Sequence, residues 1–195
     1  CSHEAATKLS SEVRDKLAEM EKYYESASSH FAATELAKAD ADCQKSLAIF
    51  PAYKKALALQ PKIQTDIKST EQLYSDARAR CDAKELLKAE KLCSEALAKW
   101  CSHEAATKLS LEIKTKRRTA EAHFTDAQAK FRQTDLHKAQ TACANTLAVF
   151  PAHAEALGLA KKVKAATAEA QAHLNVAQTH FDTQEFLMAL EALSK

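Results

Sequence analysis

One glycine and three prolines are all that 195 residues hold of the two strongest chain breakers. That scarcity excludes glycine-rich phosphate loops and closely spaced tight turns. No apolar run approaches the ~20 residues that a membrane span needs, and no signal peptide is read. Neither sign of charge dominates, with 28 Lys+Arg against 26 Asp+Glu and a formal net charge of +2. Nucleic-acid binders usually present a strongly basic face, and this balance gives no case for one. The basic run Lys114, Lys116, Arg117 and Arg118 has no similarly basic counterpart elsewhere and reads as a solvated helix face. None of the six cysteines stands in a CxxC pair, so the spacing of a cysteine metal site is missing.

What is present favours helix. Alanine makes up roughly a fifth of the chain, and Leu, Lys, Glu and Gln supply much of the rest. The segment CSHEAATKLS of residues 1–10 returns unchanged at 101–110. Between and after them stand PAYKKALALQ from Pro51 and PAHAEALGLA from Pro151. The period is about 50 residues, a length that marks a repeat array. A single array over 1–195 is expected, with copies at 1–50, 51–100, 101–150 and a shortened 151–195.

Equivalent positions in the copies hold one size class. Leu9, Leu59, Leu109 and Leu159 share a slot, and Val13, Ile63, Ile113 and Val163 share the next. Ala27, Ala77, Ala127 and Ala177 recur, as do Ala39, Ala89, Ala139 and Ala189. Leu47, Leu97 and Leu147 follow, each closing on Phe50, Trp100 or Phe150. Such slots are expected core positions.

Within the first copy, Ala6, Leu9, Val13, Leu17, Met20, Tyr24, Ala27 and Phe31 are separated by threes and fours. That spacing predicts one apolar stripe on an unbroken helix of roughly 28 residues, about 42 Å long. A polar break such as Gln133–Thr134–Asp135 follows, then a second helix of about 16 residues ending before the proline. Pro61 falls inside the second long helix, and an interior proline predicts a bend or a break there.

The stretch AEAHFTDAQAKFRQTDLHKAQTACANTLAVFP, Ala120 to Pro151, resembles a tetratricopeptide repeat. The matching positions are Phe124, Ala127, Phe131, Ala139, Cys143, Thr146–Leu147 and Pro151. The resemblance implies a superhelical scaffold that binds peptides or partner proteins in a groove. The family's unit is about 34 residues, and here the first helix is longer. That extension allows another packing: each long helix pairs by its first half with the preceding short helix and by its second half with the following one. Repeats would then be staggered by roughly 20 Å along a three-helix rod. The fold class is all-α under either packing, a solenoid or a rod of tandem helix-turn-helix repeats.

The chemical candidates yield to the repeat. Cys43, Cys93 and Cys143 share a slot that Leu193 fills in the last copy, and Cys81 stands where other copies have Phe31, Phe131 and Phe181. A slot that accepts Leu or Phe demands nothing of sulfur. Cys1 and Cys101 replace Pro51 and Pro151 at the helix boundary, which counts against reading Cys1 as a lipid-bearing residue. Cys1–His3 and Cys101–His103 are two residues apart, a spacing that turns side chains to different faces of a helix. His3, His103 and His153 share a slot with Tyr53, as expected of a half-buried ring with a polar tip. His137, in the slot of Ala37, Leu87 and Leu187, is expected to be packed. No catalytic residue, metal site or cofactor is expected, and no nucleic-acid or membrane partner. Unpaired thiols favour a reducing, intracellular compartment.

The last copy carries Phe186, Leu187, Met188 and Leu190 on its second helix, available to stack onward. Repeat arrays need polar caps, and the first copy has no helix before it, as expected either of a slice of a longer array or of ends that stack on other copies. Two functions fit: a rod or filament unit whose partners are copies of itself, or a tetratricopeptide-type scaffold for a peptide or partner protein.

Overall fold

A computed structural model describes residues 2–194. Among the described residues the chain forms eight α-helices and no strand. Long helices alternate with short ones: α1 (Ser2–Ala32), α2 (Leu36–Ile49), α3 (Lys54–Asp82), α4 (Leu86–Lys99), α5 (Glu104–Arg132), α6 (Leu136–Val149), α7 (Ala154–Asp182) and α8 (Phe186–Leu193). The expected alternation of long helix, polar break and short helix holds in every copy, so the chain is an all-α array of helical hairpins. No described helix is long and apolar enough to cross a membrane.

Two kinds of turn join the helices. After a long helix, one residue takes a left-handed conformation, at Thr34, Lys84, Thr134 and Gln184, with φ from 58° to 61°. Glycine normally holds that place, and here it falls to residues with a side chain. Two crossed bonds close the turn: Thr34 N–H donates to Phe31 O at 3.1 Å and Glu35 N–H to His30 O at 2.9 Å. Thr134 and Asp135 repeat the pair on Phe131 and Lys130. After a short helix the chain makes a four-residue turn, with Tyr53, His103 and His153 donating to Phe50, Trp100 and Phe150, each at 3.1 Å. The second place of that turn, which proline's fixed φ suits, holds Pro51, Cys101 or Pro151.

α3 continues through Pro61 without a break. Ala56 and Ile63 are fully buried on either side of it, while Leu57 and Pro61 face solvent. The carbonyl that loses its donor can therefore reach water, and packing on both flanks holds the helix together.

The helices fall into two compact units. One comprises Cys1–Ala83 and Leu87–Ile113, the other Lys84–Leu86 and Lys114–Lys195. In the first unit the second half of α1 packs along α2, and α2 packs along the first half of α3. Their shared core is Ala27, Ala39, Cys43, Ala56 and Ile63, surrounded by Tyr24, Phe31, Leu47, Tyr53, Leu59 and Ile67. Leu47 is thus only half-buried, beside the core rather than in it.

Helix lengths set the stagger in this unit. α3 has 29 residues and α2 and α4 have 14 each, so two short descents of about 21 Å cancel one long ascent of about 43 Å. The turn between α4 and α5 should then return to the level of the turn between α1 and α2. It does: Cys101 N–H donates to Thr34 O at 3.3 Å. Pro51 and Pro151 hold the same slot without an N–H to give. In the second unit α7 packs against both α6 and α8, with Ala127, Ala142 and Cys143 buried beside Leu159 and Ala160.

Candidate functional site

The chain's recurring structure is the junction at which one long helix begins beside the previous one. The ring at the start of α3, α5 and α7 is the centre of each junction. Tyr53 meets Tyr24 edge to face, with centroids 5.5 Å apart. His103 lies 5.5 Å from Tyr74 and 4.8 Å from Trp100. His153 lies 4.8 Å from Phe124 and 5.7 Å from Phe150. Three residues before each of Tyr24, Tyr74 and Phe124, on the same helix face, stands a glutamate that binds the tip of the ring. Glu21 accepts the Tyr53 hydroxyl and, at 2.8 Å, the Lys55 ammonium. Glu71 and Glu121 stand 3.2 and 3.3 Å from Nε2 of His103 and His153.

The two histidines also cap their helices. His103 Nδ1 accepts the Ala106 N–H at 3.0 Å, which leaves Nε2 to carry the proton toward Glu71. His153 Nδ1 accepts from Ala156 at 3.3 Å, with the Glu155 carboxylate 3.2 Å from the same nitrogen. A neutral imidazole supplies one donor and one acceptor, and this junction uses both.

The Lys55 ammonium holds the Glu21 carboxyl below its ordinary range, with help from the Tyr53 hydroxyl. Burial, and then the hydrogen bond to Glu21, raise the Tyr53 phenol. Beneath the rings, Cys43 donates its thiol to Ala56 O at 3.4 Å. Burial pushes the thiols of Cys43, Cys93 and Cys143 up, which disfavours the nucleophilic thiolate. The junction rim is polar: Gln64 donates to Asp40 at 2.6 Å and Arg78 to Glu112 at 2.8 Å. This chemistry positions helices. Among the described residues no group of three or more His, Cys, Asp or Glu side chains stands where it could hold a metal.

The expected buried cysteines are found at Cys43, Cys81, Cys93 and Cys143, and Cys101 is exposed. Cys101 and His103 lie in the turn before α5 rather than on a helix, and Cys1 lies outside the described residues. His103 and His153 are buried, Tyr53 is half-buried and His3 is exposed. His137 is exposed as well, contrary to the packed position expected from its neighbours in the slot. Its slot is a surface one, since Ala37 and Leu87 are exposed too. The basic run is exposed at Lys114, Arg117 and Arg118 and half-buried at Lys116.

Two faces carry junction residues that are exposed. On α1, Leu9 is 61 % exposed, whereas Leu109 in the identical decapeptide is 2 % exposed. Val13 is also exposed, while its equivalents Ile63, Ile113 and Val163 are fully buried. At the other face Phe186 is 55 % exposed, against 1 % for Leu36. Leu187, Met188 and Leu190 are exposed beside it, as are Leu174, Phe181 and Leu193. Ala166, Ala170, Leu174 and Leu193 line a shallow groove between α7 and α8.

The exposure of Phe186, Leu187, Met188 and Leu190 accords with the sequence reading, whereas Leu9 and Val13 were expected in the core and are exposed. Sequence reasoning missed the ring-to-glutamate pairs. Their signal was present in the recurrence of Glu21, Glu71 and Glu121 at the repeat period, 32 residues before each ring. No protein-family model and no curated protein matches the chain.

Proposed function

We propose that this chain is a structural repeat protein, a rod or filament building block that assembles through the packing of its helical repeats. Its partners are copies of itself, and its work is to set length and spacing, with no chemical step, cofactor, nucleic acid or membrane involved. The observation that carries this reading is the contrast between Leu9 and Leu109: one sequence, buried at an interior junction and exposed on the α1 face. Matching slots are exposed on α7 and α8. Two apolar faces that differ from each other make a head-to-tail contact, and such a contact gives an open polymer when it does not close into a ring.

The likeness to tetratricopeptide repeats belongs to the same reading. The hairpin slots follow that family's pattern, and the lengthened first helix turns a groove-forming unit into one that overlaps its neighbours. Thiols outside any disulfide, at Cys43, Cys93, Cys101 and Cys143, suit a reducing, intracellular compartment. Electron microscopy and sedimentation over a wide range of concentration test the proposal. Filaments, or a mass that grows with concentration, support it. Discrete monomers at every concentration overturn it and turn the search to a peptide or partner protein on the same repeats.

A further inference from the structure

The decapeptide CSHEAATKLS occurs twice, and at its second occurrence the structure displays its docking site. There His103 reaches Glu71 and Tyr74, Ala106 is fully buried, and Leu109 is 2 % exposed. Two residues on, Glu112 receives Arg78 at 2.8 Å and Ile113 is fully buried. The surface that receives it is the second half of α3, and at the preceding junction the short helix α2 packs against the incoming α3 in the same way. The same residues at the first occurrence, His3, Ala6 and Leu9, are exposed, as are Glu12 and Val13.

The receiving surface recurs on α7 and α8, where it is open. Gln171 stands in the slot of Glu71, Leu174 in that of Tyr74, and Gln178 in that of Arg78. Leu193 stands in the slot of Cys43, whose thiol touches Ala56, the equivalent of Ala6. Each substitution keeps the function of its slot. A glutamine oxygen accepts from a histidine N–H, a glutamine amide donates to a glutamate, and leucine fills an apolar position. We infer that α1 of one copy seats on the α7–α8 face of a second copy, in the register that α5 takes on α3 and that α3 takes on α2. This rests on the proposed structural role and specifies its contact: His3 beside Gln171 and Leu174, Ala6 against Leu193, and Glu12 beside Gln178.

Mixed cross-linking tests the register. One chain carries Ala6→Cys and the other Leu193→Cys, both in a background with Cys1→Ser and Cys101→Ser. Ala6 is exposed, and cysteine is the residue that the other copies hold at the slot of Leu193, so both variants should fold. Under added oxidant, the mixture should give a disulfide-linked dimer that neither chain gives alone. Pairing Ala6→Cys with Leu187→Cys, on a part of α8 outside the contact, should give none. Self-association without the Ala6–Leu193 cross-link, or with equal cross-linking at Leu187, overturns the register and leaves the structural role standing. A chain that stays monomeric by sedimentation at every concentration overturns both, and assigns the two faces to something other than a second copy.

Discussion

His103 and Glu71 close the junction between α3 and α5, with Nε2 3.2 Å from the carboxylate while Nδ1 caps the new helix at Ala106. Three interactions meet in one ring: a helix cap, a hydrogen bond and an aromatic contact. Replacing His103 with Ala removes all three, and the expected loss is about 2–3 kcal/mol of stability. Tyrosine, which serves at position 53, keeps the ring and the bond to glutamate and gives up the cap alone. His103→Tyr should therefore recover at least half of the loss in urea unfolding. Equal destabilisation by the two variants would mean that the ring and its glutamate contribute nothing.

Leu9 and Leu109 allow one substitution to be made twice in the same ten residues. Leu109→Asp creates a core cavity and buries a charge with no partner. It should cost at least the ~2–5 kcal/mol of a core leucine truncation. Leu9→Asp places the same charge in water and should leave the melting temperature of the dilute chain within a degree or two. Its effect belongs to assembly: self-association should weaken sharply. If Leu9→Asp melts as early as Leu109→Asp under dilute conditions, the α1 face is covered within a single chain.

The hairpin array was legible because helix spacing and the repeat period are properties of short windows. The threes and fours from Ala6 to Phe31 and the break at Gln133–Thr134–Asp135 both appear where expected. Glu71 was not legible as a junction residue, since its partner lies 32 positions away and its neighbours make it look like ordinary surface charge. At Pro61 the break, one of the two outcomes expected there, does not occur. The local cost of an interior proline is real, but the burial of Ala56 and Ile63 holds α3 together across it. His137 misled because Leu87, in the same slot, is itself exposed. The Phe186–Leu190 face was visible as a run of apolar residues. Leu9 and Val13 were expected in the core because their slots hold one size class in every copy, yet on α1 they are exposed.

The left-handed turns hold stability in reserve. With one glycine in the chain, Thr34 and Thr134 adopt φ of 58° despite a branched Cβ that crowds the following carbonyl. Glycine relieves that crowding but makes the unfolded chain more flexible, so only part of the gain survives. Thr34→Gly and Thr134→Gly should each stabilise the fold by about 0.5–1 kcal/mol. Thr134 is exposed, which makes it the cleaner site, and its Oγ1 bonds only to the adjacent Gln133 carbonyl at 2.6 Å. Higher urea midpoints with an unchanged slope would bear this out. A lower midpoint for Thr134→Gly would show that the threonine is held by something beyond its backbone angles.

Acid should loosen the first hairpin. Asp42 accepts from Lys45 at 2.9 Å and from Ser26 on α1 at 2.7 Å, and those two bonds, Lys45 first, hold its carboxyl below its ordinary value. Glu35 is lowered by Lys38 and then His30, and Glu21 by Lys55 and then Tyr53. A carboxyl depressed in the folded state binds fewer protons there than in the unfolded chain. Its stabilising effect is complete above the unfolded value, near pH 4 for such groups, and disappears as pH falls through the lower folded value. Melting temperature should accordingly hold steady from pH 7 to about 5 and then fall. Asp42→Asn removes one of these titrations, so its melting curve should start lower at pH 7 and converge on that of the parent as the medium becomes acid. Two curves that fall in parallel would place the acid-sensitive group elsewhere and reduce the Ser26–Asp42 bond to a surface contact.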